Sequence, residues 1–477
     1  MAKAVRRRSA SEISPRTSSV AWRWLFRAYL LLLLWLPLPL GSNRAWAWAL
    51  MEISVLLLLI TYLFVRQKPP VEQTLLPPLK APLLLFLVAI LYPLWQTMPL
   101  AEPLLQILSP HTLATRQWAA LHQGGTISLD LHATWVEWLK GIAYGGLFVL
   151  TLLLVNSQRR LQMLIWVLLS SGVVQVCISL LLLSLSSNSD VRGSFVNRNH
   201  LAGLLELIIP LTVGVLRNIS SLSDSSSLER QQSHAWLRFF SSSSGGVAGV
   251  MMILWFTLFL TQSRGGNAAL IFSFVAVWTL SRLTGMRRQE TVKRSNMIYL
   301  LLACTFILGG TAGLEILLGR FLDTNLLQEG RLAVLFTGKQ IILDYPLFGS
   351  GSGTFASIYP RYQPEAIAHL FFDHAHNDHL ELLADRGIIG YALLAGTVLT
   401  SWHHMLRCYR HSQHPLVRAT CYAALVSTIS LVIHGIFDFN FQIPANAAYF
   451  TVMLALGLRC SRMENSTHPS SPDHMTA

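Results

Sequence analysis

The chain alternates between long apolar runs and short polar connections over most of its length. Twelve stretches are apolar for nearly the 20 or so residues that a helix needs to cross a bilayer. They fall at about 25–40, 46–65, 81–98, 141–156, 161–186, 200–217, 246–262, 265–281, 297–317, 387–406, 417–437 and 444–458. Three connections are long. Ser220–Ser244 is Ser-rich and reads as a flexible linker; 99–138 carries a Gly-Gly turn and an alternating patch over Ile127–Leu131; 318–386 holds most of the unusual side chains. No solenoid repeat is visible. The pattern predicts an all-α polytopic membrane protein of about 12 transmembrane helices, with a large external loop between spans 9 and 10.

Composition agrees. Of 477 residues, 52% are hydrophobic and 12% charged, about half the charged share of soluble proteins, and mean hydropathy is +0.47. The net charge of +13 needs no nucleic acid to explain it. With the N-terminus inside, 25 of the 36 lysines and arginines fall on cytoplasmic segments, as orientation requires. Both termini are then expected in the cytoplasm, in the tails 1–24 and 459–477, around a membrane domain at 25–458. The first span has a signal-like basic start and Ala45-Trp46-Ala47, but the bulky tryptophans and the charge alternation favour an uncleaved helix. Five scattered cysteines form no framework.

Eleven basic residues remain outside. Arg192, Arg198, Arg264 and Arg331 sit at helix mouths or in the long loop. A lone arginine there snorkels to headgroups; several on one face suit an anion, because guanidinium forks grip phosphate bidentately. Phe348-Gly349-Ser350-Gly351-Ser352-Gly353-Thr354-Phe355 superficially resembles a phosphate loop. It lacks the βαβ context of one and reads as a tight turn bringing backbone close to something. Next comes Asp373-His374-Ala375-His376-Asn377-Asp378-His379. His-x-His-x-Asp-His is also the signature of metallo-β-lactamase-like hydrolases, but their fold needs a soluble domain far larger than this loop. A helix cap explains the acids and not the histidines. Imidazole is the usual general base near neutral pH, so the cluster points to base-assisted transfer onto an anionic lipid-linked substrate. His434 and Asp438, four residues apart, are expected to share a helix face at the outer end of span 11. There Asp438 either anchors the interface beside Phe437, Phe439 and Phe441 or pairs with Arg264 or Arg331.

These residues resemble a known family. His376-Asn377, nine residues, then Gly387-Ile388-Ile389-Gly390 is similar to the H-[NSQ]-x9-G-x-x-[GTY] motif of the O-antigen ligases, a family that includes O-antigen polymerases and protein-glycosylating oligosaccharyltransferases. Arg192-Gly193-Ser194-Phe195-Val196-Asn197-Arg198-Asn199-His200, Ser263-Arg264-Gly265, and Arg331 followed by Pro346-Leu347-Phe348-Gly349-Ser350-Gly351 resemble its other segments, densely over about 190–460. Pro37-Leu38-Pro39-Leu40-Gly41-Ser42 is also similar. The resemblance implies a type-C glycosyltransferase of the bacterial inner membrane with a periplasmic site. It would take a glycan from undecaprenyl diphosphate and pass it, with inversion, to a hydroxyl on a lipid- or glycan-linked acceptor. By that analogy His376 activates the acceptor, and Arg264, Arg331 and, more weakly, Arg192 hold the diphosphate. Asn377, Asp378 and Asp438 support them, and neither metal nor other cofactor is needed. Ligase and polymerase remain equally open. A transporter or flippase of the same lipid-linked saccharides is the alternative; the missing half-to-half repeat and the outer placement of the charges weigh against it.

Overall fold

The computed structural model describes residues 15–65, 72–119, 125–185, 190–223, 243–283 and 331–463. The expected span at 297–317 and most of the Ser-rich linker lie outside these. Fifteen helices follow in order among the described residues: α1 Pro15–Trp35, α2 Ala45–Val65, α3 Glu72–Gln96, α4 Glu102–Leu108, α5 Pro110–Trp118, α6 Leu131–Leu154, α7 Gln158–Leu185, α8 Arg198–Ser223, α9 Ser243–Leu260, α10 Arg264–Leu283, α11 Arg331–Asp344, α12 Phe355–Ile358, α13 Asp378–His411, α14 Pro415–His434 and α15 Pro444–Met463. No strand forms among the described residues. The alternating patch at Ile127–Leu131 is irregular backbone, with one isolated bridge nearby between Leu100 and Gly125.

Eight helices are long and apolar enough to cross a bilayer: α2, α3, α6, α7, α8, α10, α13 and α14. The protein is a multi-pass membrane protein of all-α fold. Three of the other four expected spans correspond to α1, whose sequence carries arginines, to α9, with a shorter apolar run at Gly245–Leu260, and to α15. The fourth is 297–317.

The apolar runs sort by position in the bundle. α2 is peripheral, with 17% of its apolar window buried, while α8 is enclosed at 94% and α14 at 78%. Lipid tails are as apolar as leucine, so close backbone approach and interhelical hydrogen bonds bind such helices. α8 and α14 show both. A Cβ on Gly214 would lie 3.0 Å from the Ala419 carbonyl oxygen, and Ser427 donates to the Leu207 carbonyl at 2.8 Å. α15 is buried from Pro444 to Cys460, and its Tyr449 hydroxyl donates to Leu33 O at 2.9 Å.

Four helices, α1, α3, α6 and α13, begin nine or ten residues before the hydropathy suggests, and for α6 and α13 a polar cap sets the start. Asp130 accepts the Ala133 N–H at 3.0 Å, so α6 begins ten residues ahead of the expected span. Asn377 accepts the Leu380 N–H at 2.9 Å and starts α13 nine residues early. Both are the N-cap bonds that Asp and Asn favour. α13 then kinks at Gly387, whose φ of 60° is left-handed. The kink is where the glycine-rich turn docks. A Cβ on Gly349 would enter the Asp385–Arg386 backbone, and one on Gly387 would enter that of Leu347–Phe348. The two main chains are in direct contact, which glycine alone permits.

Candidate active site

The candidate residues gather where the segment before α13 meets the turn after α14. His376 has a φ of 52°, a conformation that non-glycine residues rarely adopt. Its neighbours hold it there. The Ala375 N–H donates to Glu381 Oε2 at 2.8 Å, and the Asn377 amide donates to Ile436 O at 2.9 Å. The Asp378 N–H donates to Gly435 O at 2.7 Å and to Asp438 O at 3.2 Å. The buried Asp378 carboxylate in turn accepts the Phe441 N–H at 3.1 Å. All but the first of these links tie the His376 segment to residues 435–441.

Asp438 lies behind His376. Its Oδ1 is 3.7 Å from His376 Nδ1, the carboxylate being 1% exposed and the imidazole 22%. That spacing is an ion-pair distance wider than a hydrogen bond, and His376 Nδ1 has no hydrogen-bond partner; catalytic contacts of this kind commonly tighten only with substrate bound. Asp438 also accepts from Asn199 Nδ2 and, at 2.9 Å, from the Phe439 N–H. Burial pushes its carboxyl up, but His376, His200 and His434 outweigh that and hold it below the usual carboxylate range. Of the two readings weighed for Asp438, its 1% exposure and its place behind His376 favour a buried carboxylate over an exposed interfacial one. α14 itself ends at His434, but Gly435 keeps helical φ and ψ and the Asp438 N–H donates to His434 O at 3.1 Å, so one further helix-like turn links the two residues. The Arg331 side chain, the other partner weighed for Asp438, lies outside the described set.

The neighbouring histidines have other partners. His374 Nδ1 is 2.8 Å from Glu381 Oε1; burial opposes its charge, yet Glu381 prevails and the imidazole is pushed up to about 9. His379 Nε2 faces Val432 O at 2.8 Å and its Nδ1 faces the Tyr391 hydroxyl at 2.9 Å. A carbonyl only accepts, so Nε2 carries the proton. His200, His374 and His376 surround the Phe439 ring, with centroids 4.7, 4.6 and 4.8 Å away. The His-x-His-x-Asp-His side chains thus engage separate partners. Among the described residues no three His, Cys, Asp or Glu groups gather as metal ligands would.

Arg264 opens α10, half-buried. Its turn is packed on the same region: Ser263 Oγ caps the Gly266 N–H at 3.3 Å, and a Cβ on Gly265 would lie 3.0 Å from His434 Cδ2 and 3.2 Å from Phe437 Cβ. Beneath it His434 Nδ1 lies 2.7 Å from Glu206 Oε1, both groups fully buried, and Ser430 donates to Glu206 Oε2 at 2.6 Å. Arg192 is exposed, its guanidinium 3.4 Å from Val196 O. Its loop meets the other segment noted in the sequence: Ser194 Oγ donates to Pro37 O at 2.6 Å, and Phe195 packs on Gly41. Arg331 is the first residue of α11, which lies against α13 with Gly338 facing Leu380.

The glycine turn offers no phosphate cradle. Its N–H groups from Gly349 to Thr354 donate to Tyr345 O, Ala384 O, Asp385 O, Gln96 Oε1, Asp385 Oδ2 and Gly351 O in turn. It is a clamp on the kink of α13. Sequence reasoning missed Glu206, Asn199 and Glu381. Glu206 carried a usable signal, as the single acid within the run 200–217, where intramembrane charge marks function by default. Asn199 and Glu381 carried none, since their partners are far away in sequence or hidden by the turn.

No curated protein matches the chain. Residues 249–395 match the family model of the O-antigen ligases, a stretch that takes in Arg264, Arg331, the glycine clamp and His376 but ends before Asp438. The match over these residues supports the O-antigen ligase and polymerase family.

Proposed function

We propose that the protein transfers a glycan from undecaprenyl diphosphate to an acceptor hydroxyl at the periplasmic face of the bacterial inner membrane, as a ligase or as a surface- or exopolysaccharide polymerase. The observation that carries the mechanism is His376: a partly exposed imidazole backed at 3.7 Å by the buried Asp438 carboxylate. His376 takes the proton of the acceptor hydroxyl, and Asp438 stabilises the imidazolium that forms. The hydroxyl oxygen attacks the anomeric carbon in line as the bond to the diphosphate breaks, so configuration inverts. Arg264 and Arg331, with Arg192 at the rim, neutralise the departing diphosphate, the work of fixed cations aimed at developing charge. Asn377 and Asp378 hold the His376 segment on the 435–441 turn. The acceptor is a lipid- or glycan-linked sugar, and nucleic acid has no part. In this reading the arginines stand where other enzymes use a metal ion, and both termini are cytoplasmic.

The test is transfer by the purified full chain in nanodiscs, from a synthetic undecaprenyl-diphosphate oligosaccharide. His376→Ala should bind donor and form no product. A variant that still turns over, or reporter fusions after Arg264 and His376 that report cytoplasm, would overturn the assignment.

A further inference from the structure

The end of the bundle farthest from the candidate site is basic. Every acid with a described side chain lies on the site's side, in a loop or within eight residues of a helix end there. At the far end, three arginines are matched to neutral groups. Arg160 donates to Leu154 O at 2.9 Å and Arg459 to Val155 O at 2.8 Å, at the C-terminus of α6, where terminal carbonyls attract cations. Arg217 lies 4.0 Å over the Tyr422 ring. The end of α13 is arranged differently. A Cβ on Gly457 of α15 would lie 2.6 Å from Met405 Cε of α13, so the two helices touch closely there. His404 directly precedes Met405. Its ring is 5.8 Å from that of His403, and the charges of His403, Arg407 and Arg462 all bear on it.

The outer face of α13 shows what these groups meet. Ile388, Ala392, Leu399, His403, Arg407 and Arg410 are all exposed and recur three, four or seven residues apart, so they form one stripe. The stripe is apolar as far as Leu399 and basic from His403 onward. Counted from the Gly387 kink at 1.5 Å per residue, His403 lies about 24 Å and Arg407 about 30 Å along the helix, and bilayer hydrocarbon is about 30 Å thick. The change of polarity therefore falls at the headgroup level of the leaflet away from the site. Orientation of the chain calls for lysines and arginines in the loops. It does not call for two adjacent histidines at this depth, with arginines of two helices drawn to one of them. Positive groups this close at the edge of a low-dielectric region repel one another, and an anion seated among them reverses the sign.

We propose that this end of α13 binds an anionic phospholipid, with its phosphate at His403, His404 and Arg407 and an acyl chain along Leu399 and Ala392. The guanidinium fork and the imidazole N–H groups are phosphate donors, and Arg462 adds positive potential from α15. Basic pockets between membrane helices suit such headgroups. The site lies apart from His376 and does not rest on the transferase reading.

The test is native mass spectrometry of the delipidated full chain titrated with cardiolipin, phosphatidylglycerol and phosphatidylcholine. Both anionic lipids should stay bound at collision energies that strip phosphatidylcholine. Combining His404→Gln with Arg407→Gln should cut their occupancy about fivefold or more. Arg159→Gln, which removes an exposed charge from α7 at the same end, should leave occupancy unchanged. Melting curves guard against misfolding: cardiolipin should raise the melting temperature of the native chain and of Arg159→Gln, and leave that of the double variant unshifted. Equal retention of phosphatidylcholine, or an equal loss in Arg159→Gln, would reduce the cluster to general attraction for headgroups and overturn the site. Release of the bound lipid by millimolar inorganic phosphate would show a free-anion site and overturn the lipid assignment. His376→Ala should bind the lipid as the native chain does, so failure of the proposed base and failure of this site are read separately.

Discussion

Replacing Asp438 with Asn removes one charge and turns the oxygen that accepts from Asn199 into an amide donor. Asn keeps an oxygen for the Phe439 N–H, and its volume is nearly that of Asp. What disappears is the attraction between the carboxylate and the imidazolium formed when His376 takes a proton. At the 3.7 Å separation, with an effective dielectric constant of about 20, that attraction is about 4 kcal/mol. Each 1.36 kcal/mol is tenfold in rate. A fully developed charge in the transition state therefore implies a loss of about 10³, and a half-developed one a loss between about 10 and 10². Single-turnover transfer measured on Asp438→Asn, alongside donor affinity, isolates the effect. The chemical step should slow by that factor while donor binding stays within about twofold. A loss below threefold, or one confined to donor affinity, would show that Asp438 does not back the base.

The glycine clamp should be intolerant: Gly387→Ala and Gly349→Ala each place a Cβ inside facing backbone, at a cost on the order of 2–4 kcal/mol, read as a lowered melting temperature. His374 supplies a pH dependence. Its imidazole is pushed up from 6.5 to about 9 in the folded protein, so its contribution, roughly 3 kcal/mol, is complete below pH 6.5 and disappears as pH rises through 9. Melting curves across that window should show the slope, and Glu381→Gln should flatten it. Transfer should survive EDTA; activity lost on chelation and restored by Zn²⁺ or Mn²⁺ would return the His-x-His-x-Asp-His string to the role of a metal ligand set.

The membrane architecture was legible at the eight helices that are long apolar runs, because such runs have few other uses. Helix starts were not. α6 and α13 open on polar turns that hydropathy assigns to loops, while the caps Asp130 and Asn377 are single residues whose effect depends on the chain continuing as helix. The site was half legible. His376, Arg264 and the glycine turn carry local patterns, and the guess that the glycines bring two backbones together holds at Gly349 and Gly387. Asp438 was singled out, but its partners could not be read. They lie 62 and 239 residues away in the chain, beyond the reach of any local spacing.

Three histidines in six residues looked redundant in the sequence, and their surroundings separate them. An imidazole's behaviour is set by what faces each nitrogen. His374 faces a buried carboxylate at hydrogen-bond distance and is held as a cation; a base cannot begin the reaction protonated, so in the proposed mechanism its part is fixed positive charge. His379 has a carbonyl on one nitrogen and a hydroxyl on the other, which locks its tautomer and leaves no free lone pair. His376 differs from both. Its ring is partly open, and its nearest carboxylate stands just beyond hydrogen-bond reach, near enough to stabilise a charge and too far to hold a proton in place. In the proposed mechanism it is therefore the one of the three that takes the acceptor's proton.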